Sequence, residues 1–211
     1  SYVVKVSEKR ALPNSKPEAG TSHRSDRDMA KIQSIGVIGA GQMGNGIAHV
    51  GALAGYSVLL NDVSADRIKA GMATIKGNMA RQIGKKAISE DDRKNALARI
   101  KPAEKYDAFS GCDLVIETAT EKEDVKRKIF GELCSSLKSD AILATNTSSI
   151  SITRLASSTD RPERFIGIHF MNPVPLMELV ELIRGIATDD ATFETSKAFV
   201  TKLGKTIAVS E

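Results

Sequence analysis

The chain has 211 residues, enough for one ordinary domain and a tail. Its balance of apolar and charged residues is that of an average globular protein, which excludes wholesale disorder, a collagen-like repeat and a disulfide scaffold. Thirty basic against 26 acidic residues leave only +4, with no basic run and few aromatics, so duplex nucleic acid is not indicated as a partner. Cys112 and Cys134 are too few for a framework and fit a reducing compartment.

Residues 1–28 read as a separate leader. The stretch Asn14 to Ser22 is too polar and too poor in large apolar side chains to repay its ordering entropy. A leader or misplaced start is the first reading; a transit peptide is the alternative, opposed by Glu8, Glu18, Asp26 and Asp28. No basic segment followed by an apolar one marks a signal peptide. Residues 29–211 form the candidate domain.

From Ile35 to Leu60 no Lys, Arg, Asp or Glu occurs. The stretch nonetheless breaks into an apolar strand (Ile32–Ile38), a glycine turn, a helix (Met43–Ala54) and a second strand (Ser57–Asn61). It is a strand–helix–strand unit and not a membrane span. A long helix follows, with Ile68, Met72, Ile75, Met79 and Ile83 on one face. A second helix begins at Ser89, capped and acidic in its first turn, and runs to about Ile100. Further strands are predicted at Cys112–Glu117, Ala141–Thr145, Phe165–Phe170, Glu178–Ile183 and Lys205–Val209. Further helices are predicted at Lys122–Leu137 and Asp190–Leu203. Continuous apolar strands alternating with helices predict an α/β fold. It is a doubly wound, mostly parallel, Rossmann-type sheet, and the helical pair after the second strand projects from it.

Gly39, Gly41 and Gly44 form a GxGxxG with Gln42 and Met43 inside it, between a strand and a helix. The first glycine permits the tight turn, the second lets backbone N–H groups reach a pyrophosphate, and the third lets helix and strand pack closely. Asp62, 18 residues after Gly44, ends the second strand. A carboxylate there accepts the ribose hydroxyls and repels a 2′-phosphate, so NAD is favoured over NADP. The helix start lacks the Lys-Ser/Thr of a P-loop.

His23 lies in the leader, and His49 sits mid-helix as a packed or solvated residue. His169 ends an apolar strand and enters the loop Met171-Asn172-Pro173-Val174-Pro175. Carboxyl ends of strands carry the ligand crevice in open α/β sheets. A base titrating near neutrality suits removal of an alcohol proton. Glu178 and Glu181 are both candidate partners; they point to opposite faces, both apolar, so the pattern does not choose. Thr145-Asn146-Thr147-Ser148-Ser149, after another strand, suits polar contacts to cofactor or substrate and is equally an ordinary capping turn. No metal-ligating cluster stands out.

Three segments together resemble the 3-hydroxyacyl-CoA dehydrogenase family, of the 3-hydroxybutyryl-CoA type. They are Ile35 to Gly44, Thr145 to Ser149, and His169-Phe170-Met171-Asn172-Pro173-Val174. The resemblance implies hydride transfer between the C3 hydroxyl of a short-chain 3-hydroxyacyl-CoA and NAD, within fatty-acid and butanoate metabolism. It implies that His169 is the general base, Glu181 its partner, and Ser148 the hydroxyl on the substrate's 3-oxygen. Asn172 becomes a cofactor or substrate contact, Glu121 and Lys126 NAD contacts, and Asn78 and Lys85 contacts to coenzyme A. Phe-Met-Asn stands where Phe-Phe-Asn is common in the family. Family members continue into an all-helical domain that forms a homodimer, closes the cleft and supplies an Asn, so a fragment, an isolated domain or a truncated gene product is expected here. The expected compartment is the bacterial cytoplasm, with the mitochondrial matrix as the alternative. Enzymes of the 6-phosphogluconate type use a Lys, and no Lys stands in place of His169. An isolated NAD-binding module with little or no turnover is the reading from another class.

Overall fold

The computed structural model describes residues 32–210; the predicted leader lies outside them. The core is one eight-stranded sheet in the order β3-β2-β1-β4-β5-β6-β7-β8. Its strands are β1 (Ser34–Ile38), β2 (Ser57–Asn61), β3 (Ile100–Pro102), β4 (Leu114–Glu117), β5 (Ile142–Thr145), β6 (Phe165–Phe170), β7 (Leu179–Arg184) and β8 (Thr206–Ser210). Pairing is parallel throughout except between β6 and β7. The reversal follows from chain length. Residues 171–178 are too few for the crossover a parallel pair requires, so β7 must return alongside β6.

The helices are α1 (Gln42–Leu53), α2 (Ala65–Gly84), α3 (Glu90–Arg99), α4 (Glu123–Cys134), α5 (Ile152–Ala156) and α6 (Asp190–Lys202). Two apolar clusters lie on the two faces of the sheet. One joins β1, α1 and α2 through Ile35, Ile47, Leu60, Ile75 and Met79; the other joins Phe109, Val115, Phe130, Leu143 and Phe165. The predicted stripe on α2 is thus real: Ile68, Ile75 and Met79 are buried and Met72 half-buried. Ser89 caps α3 in a reciprocal box with Asp92.

Two predicted strand starts moved for a visible reason. Ile32–Gln33 and Cys112–Asp113 fall outside their strands. The Asp113 carboxylate accepts the N–H groups of Gln33 (2.8 Å) and Ser34 (2.9 Å), so a side chain takes the donors where strand pairing would otherwise begin. The short strand β3 and the short helix α5 carry no periodicity that the sequence reading used. Glu178 lies just before β7, exposed, with its carbonyl accepting the Thr206 N–H (2.8 Å).

Candidate active site and nucleotide cleft

After β1 the chain runs to one side of the sheet and after β3 to the other, so the crevice opens at the carboxyl ends of β1 and β4. The glycine turn fills it. Gly39 adopts φ +95°, a conformation open to glycine and costly for other residues. A Cβ on Gly44 would stand 1.6 Å from the Gly39 carbonyl oxygen, so only glycine lets α1 start this close to β1. A Cβ on Gly41 would meet nothing within 4 Å. Gly41 therefore borders open space, as a backbone that must admit a phosphate should. The first turn of α1 has no acidic residue and no side-chain cap, leaving its N–H groups and positive dipole end for an anion. Gln42 lines the crevice; Met43 packs partly against the core and contributes through its backbone.

Two clefts meet at Gly41. One, of about 830 Å³, is lined by Asp62, Arg67, Tyr106, Thr118, Val125 and Ile129. The Asp62 carboxylate accepts the N–H groups of Ala40 (2.7 Å) and Val63 (2.7 Å), which pins β2's end to the glycine turn. Thr118 was not singled out from the sequence. Its N–H and hydroxyl both reach the Ile38 carbonyl (2.7 and 2.8 Å), joining β4's end to β1. Burial pushes the Tyr106 phenol up, and the Glu132, Glu117 and Asp62 charges add to it.

The other cleft, of about 520 Å³, lies between α1, α2 and the loop after β6, with Gln42, Asn45, Thr74, Asn78 and Asn172 among its lining. Asn78 and Asn172 line this cleft together. Lys85 does not join them: it is exposed at the end of α2, seven residues past Asn78 and about 10 Å further along the axis. The loop wall is held by Lys205, whose ammonium donates to the carbonyls of Val174 and Met177 (both 2.7 Å). Burial lowers the Lys205 ammonium, with the Glu178 charge opposing.

At the edge of β6, His169 stands directly opposite Glu181 in the antiparallel register. Residues so paired project to the same face. His169 Nδ1 and Glu181 Oε2 lie 2.7 Å apart, with side chains 18% and 39% exposed. This register separates the two glutamates that the pattern left open: Glu181 meets the imidazole, while Glu178 lies outside the strand. His169 Nε2 has no partner among the described residues.

Ser148 lies in the turn after β5, the strand beside β6, exposed at the same end of the sheet. Glu121 organises that turn. Its carboxylate accepts the Thr147 hydroxyl (2.7 Å), the Ser148 N–H (2.9 Å) and, more loosely, the Ser148 hydroxyl (3.4 Å). Burial alone would raise the Glu121 carboxyl. The Thr147 and Ser148 donors and the Lys126 charge outweigh it and hold the group below its usual value. Asn146 Oδ1 accepts the Phe170 N–H (2.8 Å), tying β5's end to β6. Lys126 departs from the sequence expectation. It is 1% exposed and spends its ammonium on Glu117 (2.9 and 2.8 Å), beneath the surface a cofactor would touch. Among the described residues no cluster could hold a metal ion, and no helix is long and apolar enough to cross a membrane.

A strand, a glycine turn on a helix N-terminus and an acid ending the next strand define a dinucleotide-binding domain, here with a histidine–carboxylate pair at the sheet edge. Comparison with known proteins gives the family. The chain matches the 3-hydroxyacyl-CoA dehydrogenase NAD binding domain over residues 34–211, and it belongs to that family. It is 74% identical over 182 residues to a 3-hydroxybutyryl-CoA dehydrogenase of Bradyrhizobium diazoefficiens, covering 86% of this chain and 62% of that protein. It is 37% identical over 186 residues to the fatty acid oxidation complex subunit alpha of Acinetobacter baylyi, covering 88% of this chain and 26% of that one. Among solved structures, the (S)-3-hydroxybutyryl-CoA dehydrogenase PaaH1 from Ralstonia eutropha superposes with a TM-score of 0.84. It shares 45% identity, over 86% of this chain and 64% of that one. The chain therefore spans somewhat under two thirds of the length of these single-function relatives.

Proposed function

We propose that this chain is the NAD-binding and proton-handling part of a short-chain L-3-hydroxyacyl-CoA dehydrogenase, with 3-hydroxybutyryl-CoA as the substrate. The His169–Glu181 contact of 2.7 Å carries the reading. A carboxylate on Nδ1 fixes the imidazole tautomer and leaves Nε2 as the acceptor for the substrate's 3-hydroxyl proton. As the proton arrives, Glu181 faces the imidazolium and stabilises its charge. Ser148 donates to the 3-oxygen. The α1 N-terminus and Gly41 receive the pyrophosphate, Asp62 the adenosine ribose, and Asn172 and Asn78 polar groups along the second cleft. Bound NAD supplies the hydride acceptor at the substrate's C3 carbon.

The glycine turn supports cofactor seating, and the similarity to 3-hydroxybutyryl-CoA dehydrogenases supports the acyl-CoA substrate. We place the chain in a reducing compartment, the bacterial cytoplasm, on its two free cysteines and its bacterial relatives. A second copy of the whole protein, paired through the helical domain that the resemblance implies, is the proposed partner.

The test has two parts. NADH fluorescence is titrated against the chain, and NADH oxidation is followed at 340 nm with acetoacetyl-CoA in the whole protein. Binding with turnover supports the reading. Binding with no turnover supports a nucleotide-binding module, and the absence of both binding and turnover overturns the dehydrogenase reading.

A further inference from the structure

Among the described residues, the most buried charges play no part in the chemistry just described. Glu117 ends β4 and is 0% exposed; Lys126, one helix turn into α4, is 1% exposed. Glu117 Oε1 accepts the Ala119 N–H (2.7 Å) and the Lys126 ammonium (2.9 Å). Its Oε2 accepts the same ammonium (2.8 Å) and the Thr145 hydroxyl (2.8 Å). Stability does not account for such a pair: replacing a buried ion pair with apolar side chains of similar volume is often neutral or favourable. Geometry does. The carboxylate ties α4 and the turn at Ala119 to β5, whose backbone already pairs with β4 at Glu117 and Thr145. Ala119 lies in the wall of the nucleotide cleft. Thr145 ends β5 and leads directly into Asn146, Thr147 and Ser148. Lys126 belongs to α4, and its charge reaches Glu121, the residue that holds Thr147 and Ser148. The Lys126 ammonium thus bonds Glu117 and acts on Glu121 through its charge, while Glu117 meets β5 at Thr145 and Glu121 meets the turn at Thr147 and Ser148.

We propose that Glu117 and Lys126 are positioning residues for Ser148: through Thr145 and Ala119 they hold the Ser148 turn at a fixed separation from the cofactor-facing turn at residues 118–121. Neither touches substrate. The idea rests on the dehydrogenase reading for its effect on catalysis, though not for the structural coupling itself.

Thr145→Val removes only the hydroxyl that links β5 to Glu117 and keeps its shape. The backbone amide resonances of Ala119 and Ser148 are followed by NMR in the 211-residue chain, beside the NADH dissociation constant. Turnover is measured in the whole protein. The expected result is that both amides shift, kcat falls about tenfold, and NADH affinity stays within about twofold, as for one lost bond to a charged group. Lys126→Met leaves a buried carboxylate without a countercharge, so it takes up a proton as pH falls. The charged groups around Glu117 are then Glu121 on the turn, and the neutral Tyr106 phenol faces it from the segment before β4. The Ala119 and Ser148 amides of this variant are expected to titrate with one shared midpoint. A merely structural role would not produce that. Glu117→Gln with Lys126→Gln together restores a neutral hydrogen-bonded pair and is expected to recover part of kcat. Unshifted amides and unchanged kcat in Thr145→Val, or amides in Lys126→Met that titrate independently, overturn the proposal. Should the unsubstituted protein bind NADH without turnover, the dehydrogenase reading fails, while the amide measurements still decide the coupling.

Discussion

The proposed nucleotide side of the crevice and the proposed catalytic edge are built from different material. At β1, α1 and β2 the working groups, apart from the Asp62 carboxylate, are backbone: N–H donors at a helix start, a glycine at φ +95°, and a carbonyl that would lie 1.6 Å from any Cβ on Gly44. At β5, β6 and β7 they are side chains from distant segments, with His169 on Glu181, Ser148 on Glu121 and Thr145 on Glu117. The first kind of site fails when atoms are added, because there is no room. The second fails when a single polar atom is removed, because nothing nearby replaces it.

The largest expected effect is on the side-chain half. His169→Gln should lower turnover by about 10²–10⁴, the usual contribution of a general base, with NADH affinity within about twofold. Next comes the backbone half, where two glycines three residues apart should behave oppositely. Gly44→Ala should cost about 3 kcal/mol or more in urea unfolding through the clash with Gly39. Gly41→Ala should leave folding within about 0.5 kcal/mol and weaken NADH binding about tenfold, since its methyl enters the open space at the turn. Equal effects of the two substitutions on folding would remove the contrast. Asp62→Asn should narrow the preference for NADH over NADPH by about tenfold in binding titrations, by easing repulsion of the 2′-phosphate.

The smallest effect concerns pH. His49 is 0% exposed on α1, with Nε2 2.8 Å from Gln82 Oε1 on α2 and Nδ1 without a partner. Burial lowers its pKa and the nearby Lys205 charge adds to this, while the Gln82 contact opposes. The unfolded chain therefore binds a proton more readily. The stabilising contribution is complete above about pH 6.5 and is lost as pH falls below that value. His49→Gln should flatten the stability profile below about pH 6.5, measured by urea midpoints.

How much of this was legible in the sequence follows the same division. The glycine turn, Asp62 and β2 could be read because backbone geometry is imposed by residues close together in the chain. β6 was also placed to the residue, since six consecutive mostly apolar residues are bounded by Arg164 and Met171. The edge depended on register. The pattern of β7 allowed Glu178 or Glu181, and only the antiparallel pairing with β6 sets Glu181 against the imidazole. Lys126 looked available because a lysine near a strand end is usually solvated, and no local signal reveals that Glu117 lies directly beneath it. Lys205 and Thr118 were invisible for a similar reason: their partners are carbonyl groups of remote turns, which every residue type offers. β3 was missed because three residues at an edge, one of them proline, carry no periodicity.

The pairing of His169 with Glu181 is tested most directly by Glu181→Gln in the whole protein, with kcat for acetoacetyl-CoA reduction and the NADH dissociation constant measured on the same preparation. A carboxamide keeps the shape and removes the charge facing the imidazolium. A drop in kcat of about 10² or more with NADH binding unchanged is the predicted result; an undiminished kcat would contradict it.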